Sequence, residues 1–200
     1  MILERSHWLG LEAATVRPAT PVIGTLGPAG TSSEEAATHL RAVLDPDGDP
    51  TEAAADVRLY DSYEEAGEAL TAGEVGRLVV ANAYAGVNAF YMNPALELAG
   101  AFVFDTPRYG IARARGRWVP PRPRVATHPA PAALVAELLP TPYTAKELVL
   151  MTSTSTAARA ARDLDTDVAL TTEPAAALHE LEFISRTRPI RMLWSVFVNR

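Results

Sequence analysis

The sequence predicts an α/β protein with two lobes, mostly parallel sheets and a ligand cleft between the lobes. From Val22 to Ala81, short apolar runs alternate with amphipathic stretches, a pattern typical of βαβ units with right-handed crossovers. Two hydroxyl-rich clusters, Thr31-Ser32-Ser33 and Thr152–Thr156, each precede a helical pattern. The 200 residues suffice for one domain of two lobes or for two small domains.

Composition and charge exclude several classes of protein. Apolar residues make up 48% of the chain and charged residues 21%, which is typical of a globular protein. The net charge of −6 argues against non-specific nucleic-acid binding. There is no cysteine, and the four histidines lack metal-ligand spacing. With no signal-peptide core or membrane-spanning run, we expect a cytoplasmic protein without metal, cofactor or membrane partner.

The first hydroxyl-rich cluster follows an apolar strand, Val22–Leu26, and a Gly-Pro-Ala-Gly turn. This order leaves backbone N–H groups and the positive end of a helix dipole facing outward, where they attract anions. One hydroxyl among Thr31, Ser32 and Ser33 is expected to cap the helix, and the others are candidates to bind a ligand. A capped turn without a ligand is the alternative. The lysine of a P-loop is missing, so no nucleotide is predicted.

The other elements of the first half follow from short local signals. Ser62-Tyr63-Glu64-Glu65 is a capping box that predicts a helix to about Ala72, closed by Gly73. Met1–Thr20 is predicted to be an arm or leader strand, 36–44 a first helix and Asp45–Pro50 a loop. Two strands are predicted at Val57–Tyr60 and Leu78–Ala81.

The stretch Asn82–Asn93 is predicted to be a loop at the carboxyl end of a strand, where open α/β sheets bind ligands. Tyr84, Phe90 and Tyr91 supply aromatic surface, and Asn82 supplies an amide group. Local packing of these rings is the alternative to a binding pocket.

The second half repeats the alternation of strands and helices. Six arginines and no acidic residue lie between Asp105 and Glu137, a field that favours an anionic ligand, although most of them are expected to be solvated. We place lobe 1 at about residues 20–104 plus 181–200 and lobe 2 at about 105–180. The predicted strands are Ala101–Asp105, Arg108–Arg113, Arg124–Thr127, Leu148–Met151, Asp167–Leu170, Phe183–Arg188 and Met192–Phe197, and the predicted helices are 131–138, 157–162 and one from Thr171.

Four motifs, in order along Pro21–Val198, resemble the prephenate dehydratase superfamily. Gly27–Ser33 resembles its Gly-Pro-x-Gly-Thr-Phe-Ser turn, and Thr127-His128-Pro129 resembles its Ser-His-Pro. Ser153–Ala158 is similar to Ser-Thr-x-x-Ala-Ala, and Ala169–Glu173 to Ala-x-x-Ser-Glu. The resemblance implies the two-lobed fold of those enzymes, which is like that of type II periplasmic binding proteins.

Where the sequence departs from the dehydratases, it resembles a sister family, the non-aromatising prephenate decarboxylases of antibiotic pathways. The Glu-Asn-Ser and Thr-Arg-Phe segments of dehydratases are absent, and we match the latter to Met192-Leu193-Trp194. Asn82–Gly86 and Leu193–Phe197 look like the decarboxylases. The implied function is loss of CO2 with ring protonation, without a regulatory domain. A true dehydratase and a non-catalytic small-anion binding module are the alternatives.

The resemblance also implies roles for individual residues. We expect His128, Tyr84 or Tyr91 to supply the proton, because histidine has the best matched pKa and the tyrosines lie in the divergent loop. A homodimer is expected from the resemblance alone. The predicted substrate-binding residues are Thr31, Ser32, Ser33, Asn82, Tyr109, Ser153, Thr154 and Thr172.

Overall fold

A computed structural model of the chain describes residues 6–8, 20–47 and 56–200, with the backbone alone for 6–8. The chain divides into two compact units. The first unit comprises Met1–Gly27, Ser32–Thr106 and Arg191–Arg200, and the second comprises Pro28–Thr31 and Pro107–Ile190.

The described strands and helices alternate along most of the chain. The strands are β1 (Ser6–Trp8), β2 (Ile23–Leu26), β3 (Val57–Tyr60), β4 (Arg77–Ala81), β5 (Leu96–Asp105), β6 (Tyr109–Ala114), β7 (Arg124–Thr127), β8 (Glu147–Leu150), β9 (Val168–Thr172), β10 (Leu181–Phe183) and β11 (Arg191–Asn199). The helices are α1 (Ser32–Leu44), α2 (Tyr63–Thr71), α3 (Val87–Met92), α4 (Leu134–Leu138), α5 (Thr154–Arg162) and α6 (Glu173–Leu178).

The sheet of the first unit has the strand order β1-β5-β11-β4-β2-β3. Strands β2, β3 and β4 are parallel neighbours, whereas β11 runs antiparallel to both β4 and β5. The register places Trp194 opposite Ala81 and Ser195 opposite Val80. The last strand of the chain to be described, β11, therefore lies inside this sheet between β5 and β4, although both of these strands come much earlier in the sequence.

The sheet of the second unit has the strand order β10-β6-β9-β7-β8. Strands β7, β8 and β9 are parallel, and β6 and β10 are antiparallel to their neighbours. The predicted boundary at residue 181 differs from this arrangement. Leu181–Phe183 pairs with β6 through backbone hydrogen bonds, so the second unit continues to Ile190.

The predicted α/β class is confirmed, and both sheets are mixed rather than mostly parallel. Four of the nine neighbouring strand pairs in the described residues are parallel. The local signals indicate each strand, but strand direction depends on pairing across long stretches of sequence, which periodicity does not encode.

Each unit contains three parallel strands in the same order, with the third strand beside the first and the second outside. The chain therefore places the second strand on one side of the first strand and the third strand on its other side. Ligands in open α/β sheets bind at the carboxyl ends of the strands at such a reversal. The structure thus marks two edges, one at the ends of β2 and β4 and one at the ends of β7 and β9.

Helix starts agree with the capping signals in the sequence. The hydroxyl of Ser62 accepts a hydrogen bond from the Glu65 N–H at 3.1 Å, and the Glu65 carboxylate accepts one from the Asp61 N–H at 3.3 Å. Such caps satisfy backbone donors that have no partner inside the helix. The C-terminal signal also holds, since Gly73 has a φ of +77°.

The prediction of a loop over Asn82–Asn93 is wrong for its second half, because Val87–Met92 forms α3. Phe90 is buried, and its ring lies 2.8 Å from the position that a Cβ on Gly67 would take. The absence of a side chain at Gly67 therefore lets α3 pack closely on α2. This tertiary contact supports a six-residue helix that is too short to be stable alone.

The core of the first unit is aromatic and aliphatic, whereas one core cluster of the second unit consists largely of alanine. Trp194, Phe102 and Phe197 are fully buried in the first unit. The Trp194 indole N–H also donates to the Phe104 carbonyl at 3.2 Å. The alanine cluster lets α5 approach the sheet of the second unit closely; its fully buried members are Ala112, Ala126, Ala157, Ala158, Ala161, Ala169 and Ala175.

Some predictions fall partly outside the described residues. In Met1–Thr20, the described residues 6–8 form β1 and pair with Phe102–Phe104, and residues 1–5 and 9–19 lie outside. Of the predicted loop Asp45–Pro50, residues 48–50 also lie outside. Among the helices that the structure describes, none is long and apolar enough to cross a membrane.

Candidate active site

The turn Pro28–Thr31 is fixed in the second unit by the start of α6. The hydroxyl of Thr172 donates to the Gly30 carbonyl at 2.8 Å and accepts a hydrogen bond from the Ala175 N–H at 3.3 Å. A hydroxyl has one proton, and here that proton is used within the protein. Thr172, a predicted substrate ligand, therefore holds the turn in this conformation instead of offering a donor to an anion.

The second hydroxyl-rich cluster forms the start of α5. The Ser153 hydroxyl caps the helix by accepting a hydrogen bond from the Thr156 N–H at 3.0 Å. The Thr171 hydroxyl donates to the Thr154 carbonyl at 2.8 Å, which ties the helix start to β9. Thr154 is the first residue of α5, where the helix dipole favours negative charge. Of this predicted pair, Ser153 has a structural role and Thr154 lies at the anion-favouring position.

His128 and Tyr109 lie at the same edge of the second sheet. Tyr109 is the first residue of β6 and pairs with Thr172, and His128 directly follows β7. The Ala130 N–H donates to Nδ1 of His128 at 3.2 Å, so the proton of the neutral ring is on Nε2. Burial lowers the pKa of His128 below its usual value of 6.5, because it disfavours the charged ring. His128 is therefore a neutral hydrogen-bond donor through Nε2 at neutral pH.

Three of the six arginines in this part of the chain are paired within the second unit. Arg108 donates to the Thr187 hydroxyl at 2.9 Å and to the Thr187 carbonyl at 2.6 Å. Arg113 pairs with Glu182 at 2.8 Å, and Arg124 with Glu147 at 3.0 Å. These contacts engage three of the six guanidinium groups within the protein.

In the first unit, hydrogen bonds link the start of α1 to α2, and link α2 in turn to the end of β4. The Ser33 hydroxyl and the Tyr63 hydroxyl are 2.7 Å apart, and the Ala81 N–H donates to the Tyr63 hydroxyl at 3.2 Å. Tyr63, Ser32 and Ser33 are buried, and so is Thr31, which belongs to the second unit. The predicted ligand Ser33 is therefore part of a hydrogen-bonded link between two helices at the carboxyl edge of β4.

Tyr84 and Tyr91 have different surroundings, although both follow β4. The Tyr84 hydroxyl donates a short hydrogen bond to the Glu64 carboxylate, and its ring packs at 4.9 Å from the Tyr63 ring. This hydrogen bond is the main reason that the pKa of Tyr84 is raised to about 12, and burial adds to the effect. A phenol held by a carboxylate gives up its proton less readily.

The Tyr91 hydroxyl belongs to a hydrogen-bonded ring of three side chains. It lies 2.6 Å from the Ser195 hydroxyl and accepts from the Asn82 amide at 3.2 Å. The Ser195 hydroxyl donates to the Asn82 carbonyl oxygen at 2.8 Å, which closes the ring. Asn82 and Tyr91 are predicted site residues, and the structure brings them together. Ser195 is not among the predicted site residues, because it lies in an apolar strand, although the stretch Leu193–Phe197 that contains it resembles the decarboxylases.

Among the described residues, no group of three or more His, Cys, Asp or Glu side chains could hold a metal ion. The side chains gathered at the two edges are hydroxyls, phenols, an amide and an imidazole. Such groups bind and orient an anion by hydrogen bonds and can move a proton.

A prephenate dehydratase from Arthrobacter aurescens, solved in complex with L-Phe, has a similar fold, with a TM-score of 0.66 and 20% identity. The match covers 90% of this chain but only 60% of the dehydratase chain. At this level of identity the similarity concerns the fold, and it confirms the predicted dehydratase-like architecture.

Sequence comparison gives the family. No family model matches the chain. A protein of Planktothrix agardhii named prephenate decarboxylase is 36% identical over 181 residues, which cover 89% of this chain and 88% of that protein. A prephenate decarboxylase of Bacillus subtilis is 34% identical over 188 residues, with 88% and 85% covered. The resemblance seen in the motifs is thereby confirmed, and this chain belongs to the prephenate decarboxylase family.

Proposed function

We propose that this chain decarboxylates prephenate without making its ring aromatic, giving CO2 and a dihydro-4-hydroxyphenylpyruvate. The observation that carries the proposal is the 36% identity to a prephenate decarboxylase over 89% of the chain. The motifs that depart from the dehydratases favour the same reaction. The protein would be a carbon–carbon lyase that works without a cofactor.

The reaction sets a specific problem of proton placement. The bond from the quaternary ring carbon to its carboxylate breaks, and the electron pair enters the ring diene. If an acid protonates the ring hydroxyl, water leaves and the ring becomes aromatic. If a proton instead reaches a ring alkene carbon, a C–H bond forms and the hydroxyl stays. The enzyme must therefore orient the substrate and place one acid at carbon, away from the hydroxyl.

Of the three candidate acids, the contacts favour Tyr91. The proton of Tyr84 is held by Glu64, with the pKa raised to about 12. The lowered pKa of His128 makes its ring neutral at pH 7, which suits a hydrogen-bond donor rather than a proton donor. Tyr91 lies at the carboxyl edge of β4 and is 36% exposed. We therefore assign the proton transfer to Tyr91.

The second unit supplies groups suited to the carboxylates and the keto oxygen of a substrate. We assign Nε2 of His128 as a donor to a substrate oxygen, because Nδ1 already accepts a backbone N–H. Thr154 adds the N-terminal position of α5, where negative charge is stabilised. Thr31, Ser32 and Tyr109 remain assigned as substrate-binding residues, and the first two precede or begin α1. Asn82, predicted with them, is assigned instead to the support of Tyr91, to which its amide donates at 3.2 Å. We also propose a cytoplasmic homodimer that serves a specialised-metabolite pathway.

The proposal is tested by incubating the purified protein with prephenate at neutral pH and following ultraviolet absorbance and product mass. A control without enzyme is needed, because prephenate becomes aromatic spontaneously in acid. We expect a product that has lost CO2 alone. Loss of both CO2 and water would identify a dehydratase, and binding without consumption would identify a binding module; either result would refute the proposal.

A further inference from the structure

We infer that Ser195 and Asn82 are positioning residues that hold the Tyr91 hydroxyl for proton transfer to a ring carbon of the substrate. The inference rests on the proposed function, since it concerns the same decarboxylation. It is carried by the closed ring of hydrogen bonds that joins the three side chains. Ser195 is separated from Asn82 by 113 residues and from Tyr91 by 104, so only the fold brings them together.

The direction of each hydrogen bond follows from the number of protons available. The Ser195 hydroxyl has one proton and donates it to the Asn82 carbonyl oxygen at 2.8 Å. In the 2.6 Å contact between the two hydroxyls, Ser195 is therefore the acceptor and Tyr91 is the donor. The Asn82 amide donates to the Tyr91 oxygen at 3.2 Å. The three hydrogen bonds thus fix the Tyr91 oxygen, and its proton points at Ser195. For transfer to the substrate, the Tyr91 O–H turns outward while Ser195 turns its own proton to the Tyr91 oxygen.

Rigid neighbours hold this arrangement on the protein side. Ser195 is fully buried in the middle of the first sheet, and Asn82 is tied to β11 through its N–H, which donates to the Leu193 carbonyl at 3.0 Å. The Tyr91 ring packs edge-on against Phe197 with ring centroids 5.1 Å apart. Tyr91 is 36% exposed, so part of its side chain is accessible from solvent, while its hydroxyl contacts Asn82 and Ser195.

The three hydrogen-bonded side chains also prepare the site for the negative charge that forms on Tyr91 during the reaction. When the C–CO2 bond breaks, Tyr91 gives its proton to the ring carbon and becomes a phenolate. The Asn82 N–H already points at that oxygen, and the Ser195 hydroxyl can turn its proton from Asn82 to the phenolate. Two donors then stabilise the negative charge without any movement of the backbone. Solvent water returns the proton to the phenolate after the product leaves.

The experiment compares wild type, Ser195→Ala, Tyr91→Phe and the double variant, with Thr25→Val as the matched control. Thr25 also has a buried hydroxyl in the first sheet, which donates to the Val79 carbonyl at 2.8 Å. We expect kcat of Ser195→Ala to fall about ten- to a hundredfold with KM within about threefold, because the proton is misplaced while binding is kept. Tyr91→Phe should lose about a hundredfold or more.

Two readouts separate positioning from a merely structural role. Phenylpyruvate should rise as a fraction of the product in Ser195→Ala, since a freed phenol can protonate the ring hydroxyl. The double variant should be no slower than Tyr91→Phe, because Ser195 acts through Tyr91. Asn82→Ala, expected to behave like Ser195→Ala, provides a second variant if Ser195→Ala fails to fold by circular dichroism.

The outcomes distinguish the two proposals. If wild type leaves prephenate unchanged, the proposed function is wrong. If wild type decarboxylates prephenate but Ser195→Ala and Asn82→Ala match Thr25→Val in kcat and in product ratio, the positioning role is refuted. Additive losses in the double variant would also overturn it, because independent effects would show that Ser195 does not act through Tyr91.

Discussion

Replacing Gly30 by alanine probes the turn that carries the first hydroxyl cluster. Gly30 has a φ of +84°, a left-handed conformation that side chains resist. A Cβ at this position would lie 3.0 Å from the Cα and 3.2 Å from the N of Ala175, at the start of α6. Neither atom is the end of a flexible side chain, so the turn or α6 must shift.

The expected loss of stability follows from three contributions. The left-handed conformation costs alanine about 1–2 kcal/mol. Carbon atoms pack best at about 3.5–4.0 Å, so the turn must move by about 0.5–1 Å away from Ala175, and such overpacking costs about 1 kcal/mol or more. That movement also weakens the 2.8 Å hydrogen bond from Thr172 to the Gly30 carbonyl. We expect Gly30→Ala to lower the free energy of unfolding by about 3 kcal/mol.

Gly73→Ala is a matched control for this experiment. Gly73 has a φ of +77°, but apart from its two chain neighbours no atom of the described residues lies within 4 Å of its would-be Cβ. It should therefore show only the conformational cost, about 1–2 kcal/mol. Urea unfolding followed by circular dichroism measures both variants, and prephenate turnover should fall for Gly30→Ala alone. Equal losses of stability in the two variants would refute the argument from the Ala175 contact.

Three further predictions concern single contacts. Glu64→Gln should lower the pKa of Tyr84 from about 12 toward 10 in an ultraviolet titration, because the hydrogen bond to the carboxylate is its main cause; an unchanged titration would contradict this. Burial lowers the pKa of His39, so the unfolded chain binds more protons and stability falls as pH drops below about 6.5. His39→Leu should flatten that fall in urea titrations, and an unchanged slope would exclude His39 as its source. Thr171→Val should cost about 1–2 kcal/mol through the lost hydrogen bond to Thr154, which thermal unfolding checks against wild type.

Much of the fold was predictable because its signals are local. Val57–Tyr60 is a strand with the predicted bounds, and Ser62 caps the predicted helix. The capping box and the closing glycine act within a few residues, so they need no knowledge of the rest of the chain. By contrast, α3 depends on the packing of Phe90 against Gly67, which periodicity does not reveal.

The candidate site was predictable in its residue types more than in their roles. Asn82 and Tyr91 are predicted site residues because they follow a strand end, whereas Ser195 lies among apolar residues in β11. Only the pairing of β11 with β4 places its hydroxyl beside Tyr91. Thr172 is a predicted ligand and forms a helix cap in the structure, and a hydroxyl at a helix start serves either purpose.

The central position of β11 has a consequence for folding during synthesis. Residues 191–199 lie between β4 and β5, so the sheet of the first unit stays open until the ribosome has released them. The strands of the second unit, from Tyr109 to Phe183, emerge earlier, and among the strands that the structure describes they pair only with one another. We therefore expect the later-encoded unit to fold first, and the nascent first unit to expose the flanks of β4 and β5 to chaperones.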